Sequence, residues 1–118
     1  MCTSAAMGTT QGTMVDRELE ALKREFLAEA KAKVGEIAAA IGNGRDSESL
    51  DRLAYLAHQL KGSGGSYGYA SISDDAAEIE RAVEQITAGD DRDAGEATLR
   101  TKIESLRSAV DSAAAELE

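Results

Sequence analysis

The chain has 118 residues and a net charge of −9, which suits a single domain and argues against nucleic acid or an anionic membrane surface as partner, since both favour a basic surface. Aromatics make up only 3% and Trp and Pro are absent, so a core must come from Leu, Ile, Val and Ala, and no segment is broken by ring geometry. No apolar run approaches the ~20 residues of a membrane span, and Cys2 is the only cysteine, which rules out an intrachain disulfide and fits a reducing cytoplasm.

Residues 1–14 are small and polar, with Gly8, Gly12 and several Thr, and read as a flexible tail without the apolar core of a signal peptide. The remainder, 15–118, reads as one helical domain. A first helix is expected from about Asp16 to Ile41, with Val15, Leu19, Leu22, Phe26, Ala30, Val34, Ile37 and Ile41 on one face at steps of three or four. Gly35 within it suggests a bend or a shorter first helix, and Gly42-Asn43-Gly44 is a stop signal. A second helix starts near Asp46 or Ser47, buries Leu50, Leu53, Ala57, Leu60 and Gly64, and ends around Tyr67-Gly68. A third starts near Ser71 or Ser73, carries Ile72, Ala76, Ile79, Val83 and Ile86, and stops at Ala88-Gly89-Asp90. The fourth spans about Asp93 to Leu117, with Leu99, Ile103, Leu106, Val110, Ala113 and Leu117 inward. Short links make consecutive helices antiparallel neighbours, so the expected architecture is all-α, an up-down-up-down four-helix bundle.

One segment breaks the helical rules. Residues 56–68 place Gly62, Gly64 and Gly65 inside the second helix, each at a cost of roughly 1 kcal/mol relative to Ala. At 100° per residue, Lys61, Gly62 and Gly65 fall within about 60° of His58, and Ala54 lies one turn before it on the same side. His58 and Lys61 thus project from a face cleared of bulk. No acid occurs between Arg52 and Ser73, although the chain is acidic elsewhere, so this face suits an anionic group or an acidic pocket on a partner. An imidazole that is partly neutral near pH 7 is a competent nucleophile, and a nearby ammonium offsets charge in phosphoryl transfer.

The run His58-x-Leu60-Lys61-Gly62-Ser63, with Gly68 ten positions after the histidine and an aliphatic at Ile72, resembles the histidine phosphotransfer (HPt) domain of multistep His–Asp phosphorelays. The motif covers about Leu53 to Val83, and the four-helix pattern extends the likeness to residues 15–117. The resemblance implies that His58 accepts the phosphoryl group and that Lys61 sits near its oxygens. It implies that Glu80 on the third helix orients the ring, and that Ala54, Gly62, Gly65 and Gly68 belong to the face a receiver domain approaches. The implied partners are the receiver domain of a response regulator and a hybrid sensor histidine kinase, with Mg²⁺ in the receiver's acidic pocket and no cofactor or metal in this chain. A cytoplasmic monomer is expected. The Gly64-Gly65 pair departs from many family members, and Tyr67 and Tyr69 carry no expected role beyond packing.

Other readings of the same residues are less well served. Lys61 precedes the glycines, whereas a P-loop lysine follows them, and no kinase catalytic motif is present, so autonomous kinase activity is not expected. One His and one Cys do not make a zinc site, and Asp74-Asp75 and Asp90-Asp91 look like caps and solvated charge. No Ser or Asp constellation supports a hydrolase using His58 as base. An HPt-like bundle that docks a regulator without carrying phosphate is the alternative that sequence leaves open.

Overall fold

The structure, a computed structural model, describes the backbone of residues 2–42 and 46–117, and side chains from residue 17 onward. Four helices account for it: α1 (Cys2–Gly42), α2 (Ser47–Ser66), α3 (Ala70–Ala88) and α4 (Arg92–Glu116). Among the described residues there is no strand, and no helix is long and apolar enough to cross a membrane. The expected all-α four-helix bundle is what forms. Each helix packs against two others in a closed ring, α1 on α2 and α4, α3 on α2 and α4, with the most extensive seam between α2 and α3.

The helix ends follow from local chemistry. Asp46 caps α2, accepting from the Ser49 amide at 2.9 Å, and Asp91 caps α4, accepting from the Ala94 amide at 3.2 Å. Gly89 closes α3 in the left-handed conformation, φ 78°. The start of α3 differs from expectation: it begins at Ala70 after Tyr69, which makes no side-chain cap, so neither Ser71 nor Ser73 is the cap. Ser73 instead turns its hydroxyl across to α2, donating to the Lys61 carbonyl at 2.8 Å.

Three expectations for α1 are corrected. Helical backbone begins at Cys2, not near Asp16, and continues through Gly35 without interruption. Leu19 and Leu22, placed on the same apolar face as Phe26 and Ala30, are 41% and 47% exposed. The reason is length. At 1.5 Å per residue the 41 residues of α1 reach about 60 Å, whereas the 19 to 25 residues of the other helices reach roughly 30–40 Å. The amphipathic stripe therefore runs beyond its partners and becomes core only from Phe26 and Leu27 onward. Asn43 and Gly44 of the expected stop lie outside the described residues.

From there the core is continuous: Ala30, Val34 and Ile37 of α1, Leu53, Leu56, Ala57 and Leu60 of α2, Ile72, Ala76 and Ile79 of α3, and Leu99, Leu106 and Val110 of α4 are buried. Phe26, the only phenylalanine, stacks on Tyr67 and Tyr69 with ring centroids 5.1 and 5.9 Å away, and Lys23 lies 5.7 Å over the Tyr69 ring. This aromatic seam fastens α1 to the α2–α3 turn. Asp75 corrects another expectation. Read as cap or solvated charge, it is instead buried between α3 and α4, accepting from the Ser105 hydroxyl at 2.7 Å with the Lys102 ammonium 4.0 Å away. A carboxylate in that position requires such partners.

Candidate functional site

The glycines of α2 divide by what stands over them. A Cβ on Gly64 would meet Ile72 Cγ2 and the Ser73 amide nitrogen at 3.2 Å, so this glycine lets α2 approach the backbone of α3. A Cβ on Gly62 would meet nothing within 4 Å, and one on Gly65 would meet only the Ser73 hydroxyl, at 3.6 Å. Close contact thus explains Gly64 and not Gly62, which is exposed on the His58 side of the helix. Gly68 sits apart from these, in the turn after α2, where φ 83° and a 3.2 Å bond from its amide to the Gly65 carbonyl reverse the chain.

That close approach of α2 and α3 brings three side chains together. His58 projects from the middle of α2 with 68% of its side chain exposed. Glu80, from α3 and only 21% exposed, places Oε2 3.0 Å from His58 Nδ1 and Oε1 3.2 Å from the Lys61 ammonium. One carboxylate therefore bridges the ring and the ammonium, each on its own oxygen. A carboxylate can only accept, so the proton of a neutral ring sits on Nδ1 and leaves the Nε2 lone pair free. Burial pushes the Glu80 carboxyl up, but hydrogen bonds and charge from Lys61 and His58 outweigh it and hold the group below its ordinary value of 4.5. It is an anion at neutral pH.

Ala54 is half-buried one turn before His58. On the same side, Tyr55 is 53% exposed, with its hydroxyl accepting from the Gln59 amide at 2.8 Å and the Arg52 guanidinium 5.6 Å from its ring. Sequence reasoning passed over Tyr55 and Gln59, although their offsets of three and one from His58 were readable. Beside the ring lies an open depression lined by Lys33 of α1 together with His58, Gln59, Gly62, Ser63, Ser66 and Tyr67. Lys33 belongs to a helix some 25 residues away in sequence, and no local spacing points to it. Among the described residues no cluster of His, Cys, Asp and Glu could hold a metal ion.

The structure thus gathers His58, Lys61 and Glu80, sets Ala54, Gly62 and Gly65 along the same helix, and leaves Gly68 at the turn. Comparison with curated proteins and with solved structures gives no match. The family model described as the Hpt domain matches residues 21–115, which takes in most of the chain and part or all of each helix. The chain belongs to the Hpt domain family, the phosphocarrier modules that work with receiver domains and kinases in His–Asp phosphorelays.

Proposed function

We propose that the protein relays a phosphoryl group through His58 between receiver-domain aspartates. The observation that carries this reading is the contact of His58 Nδ1 with Glu80, on a ring whose other nitrogen is free and whose side chain is mostly exposed. In the loading step the Nε2 lone pair attacks the phosphorus of an aspartyl phosphate on the partner. The N–P bond forms as the P–O bond to the carboxylate breaks, and the carboxylate leaves with its electron pair. The proton stays on Nδ1, and the positive charge developing on the ring is met by the Glu80 anion. Lys61 shares that carboxylate at 3.2 Å and, in this reading, offsets phosphoryl charge. Onward transfer is the same step reversed against a second receiver.

The expected partners are the receiver domain of a hybrid sensor histidine kinase and that of a response regulator, with the divalent cation in the receiver's acidic pocket and no cofactor here. The core closes within one chain, which supports a monomer, and the single cysteine suits the cytoplasm.

The experiment is transfer from a ³²P-labelled receiver to this protein. An acid-labile label that His58→Gln abolishes is the expected result. Stable binding of the receiver with no transfer would instead establish a docking module, and labelling by ATP alone would establish a kinase.

A further inference from the structure

Of the cations of α1, Lys33 is the one that lines the depression beside His58. Lys23 lies over the Tyr69 ring, Arg24 donates to the Leu117 carbonyl at 2.7 Å, and Lys31 is 4.0 Å from Asp111. Lys33 is half-buried, and among the described residues no carboxylate lies within ion-pair distance of it. The acid one turn further along α1, Glu36, is taken by Arg52 at 2.8 Å. Lys33 lines the depression beside His58, where the other groups are the Gln59 amide, the Ser63 and Ser66 hydroxyls, Tyr67 and the bare backbone of Gly62. Among the described residues no acid lines it. Ser66 already donates to the Gly62 carbonyl at 3.1 Å and Gln59 to the Tyr55 hydroxyl at 2.8 Å, and the second amide hydrogen of Gln59 and the Ser63 hydroxyl are further neutral polar groups of the lining.

His58 therefore stands between two different environments. On the α3 side, Glu80 engages Nδ1 and also holds Lys61, whose charge is partly spent on that carboxylate. On the α1 side, a cation without a counter-ion faces a depression without acids. Nε2 points away from the nitrogen that Glu80 holds, and a phosphoryl group on it carries about two negative charges near neutral pH.

We propose that Lys33 is a positioning residue for the phosphoryl group on His58, supplying from α1 the uncommitted positive charge that Lys61, tied to Glu80, supplies only in part. The inference rests on the carrier reading and extends it from α2 and α3 to a third helix. The depression then takes a dianionic phosphoryl group, and α1 contributes to the site as well as to the core.

The test uses the full chain and potassium phosphoramidate, a small donor that phosphorylates histidine without a docking partner. Label on His58 is followed over time by phosphate-affinity gel electrophoresis in the unmutated protein and in Lys33→Gln, Lys33→Arg and His58→Gln. Loading several-fold slower in Lys33→Gln, restored in Lys33→Arg, is expected, and the difference should shrink as salt screens the charge. Equal loading in Lys33→Gln and the unmutated protein, with His58 labelled in both, overturns the assignment of Lys33 and leaves the carrier reading standing. If the unmutated protein takes no label at His58, the carrier reading itself falls. A titration with inorganic phosphate followed by amide NMR then still decides on Lys33. Shifts at Gly62 and Ser63 that Lys33→Gln removes support an anion site, and shifts that persist unchanged, or none, overturn it. Thermal melts of both Lys33 variants separate lost charge from lost fold.

Discussion

Glu80 and His58 meet across the α2–α3 seam, Oε2 to Nδ1 at 3.0 Å, although 22 positions separate them in the chain. The pairing depends on how closely the two helices approach, and that approach depends on Gly64. Site and packing are therefore linked by one glycine, and the two can be perturbed separately.

Glu80→Gln keeps the shape and removes the charge. A hydrogen bond to a charged group contributes about 1.5–3 kcal/mol. If that contribution grows as the ring gains charge, transfer slows by roughly ten- to a hundredfold. Single-turnover transfer from a phosphorylated receiver checks this. A rate within twofold of the unmutated protein would mean that the contact does not act in the transfer step.

The same carboxylate gives a pH dependence. Its folded value lies below the ordinary 4.5, which an unfolded chain retains. The unfolded state thus binds a proton first as pH falls, and stability follows that difference. The contribution of Glu80 is complete above about pH 4.5 and disappears as pH drops through the lower, folded value. Urea unfolding between pH 6 and pH 3 should show a shallower acid decline in Glu80→Gln than in the unmutated protein.

Two glycine variants two positions apart should move stability in opposite directions. Gly62→Ala gains about 1 kcal/mol of helix propensity and meets nothing within 4 Å. Gly64→Ala gains the same propensity but presses on Ile72 and the Ser73 backbone at 3.2 Å. Overpacking of that kind costs about 1–3 kcal/mol. Chemical denaturation should rank Gly62→Ala above the unmutated protein and Gly64→Ala below it. Transfer should respond differently: Gly65→Leu, adding bulk near His58 where only the Ser73 hydroxyl is close, should slow transfer with helix content preserved.

Ser105→Ala removes the donor that lies 2.7 Å from the buried Asp75 carboxylate. Leaving a buried charge short of a hydrogen bond costs about 1–3 kcal/mol or more. A double cycle with Asp75→Asn measures the pair. A coupling energy near zero would show that Lys102, at 4.0 Å, is the partner that matters.

Helix number, order and most buried positions could be read from spacing, because a core face repeats every three or four residues whatever it packs against. Spacing alone could not say where a stripe stops being covered. Leu19 and Leu22 continue the face of Phe26, yet α1 simply outlasts its neighbours there. Leu27 and Leu56 were missed for the converse reason, since a helix enclosed by two neighbours buries a wider arc than one stripe. At the site, the exposed face around His58 was legible from local glycine and charge patterning. Glu80 came only through family likeness, because it reaches His58 through the packing of helices, and the place of Lys33 on the same depression was not legible for the same reason. Asp75 was misread because burial of an acid depends on Ser105 and Lys102, 30 and 27 residues further on.

The aromatic seam has a practical consequence. The chain has no tryptophan and three tyrosines, so tyrosine emission can be recorded without being drained by an indole acceptor. Tyr67 and Tyr69 are stacked on Phe26 where α1 meets the turn, whereas Tyr55 stands exposed one helical turn from His58. Replacing Tyr55 with Phe leaves an optical probe of the seam alone, and replacing the stacked pair leaves one beside the histidine. Unfolding at one end of the bundle and docking on its exposed face can thus be watched as two separate signals from unlabelled protein.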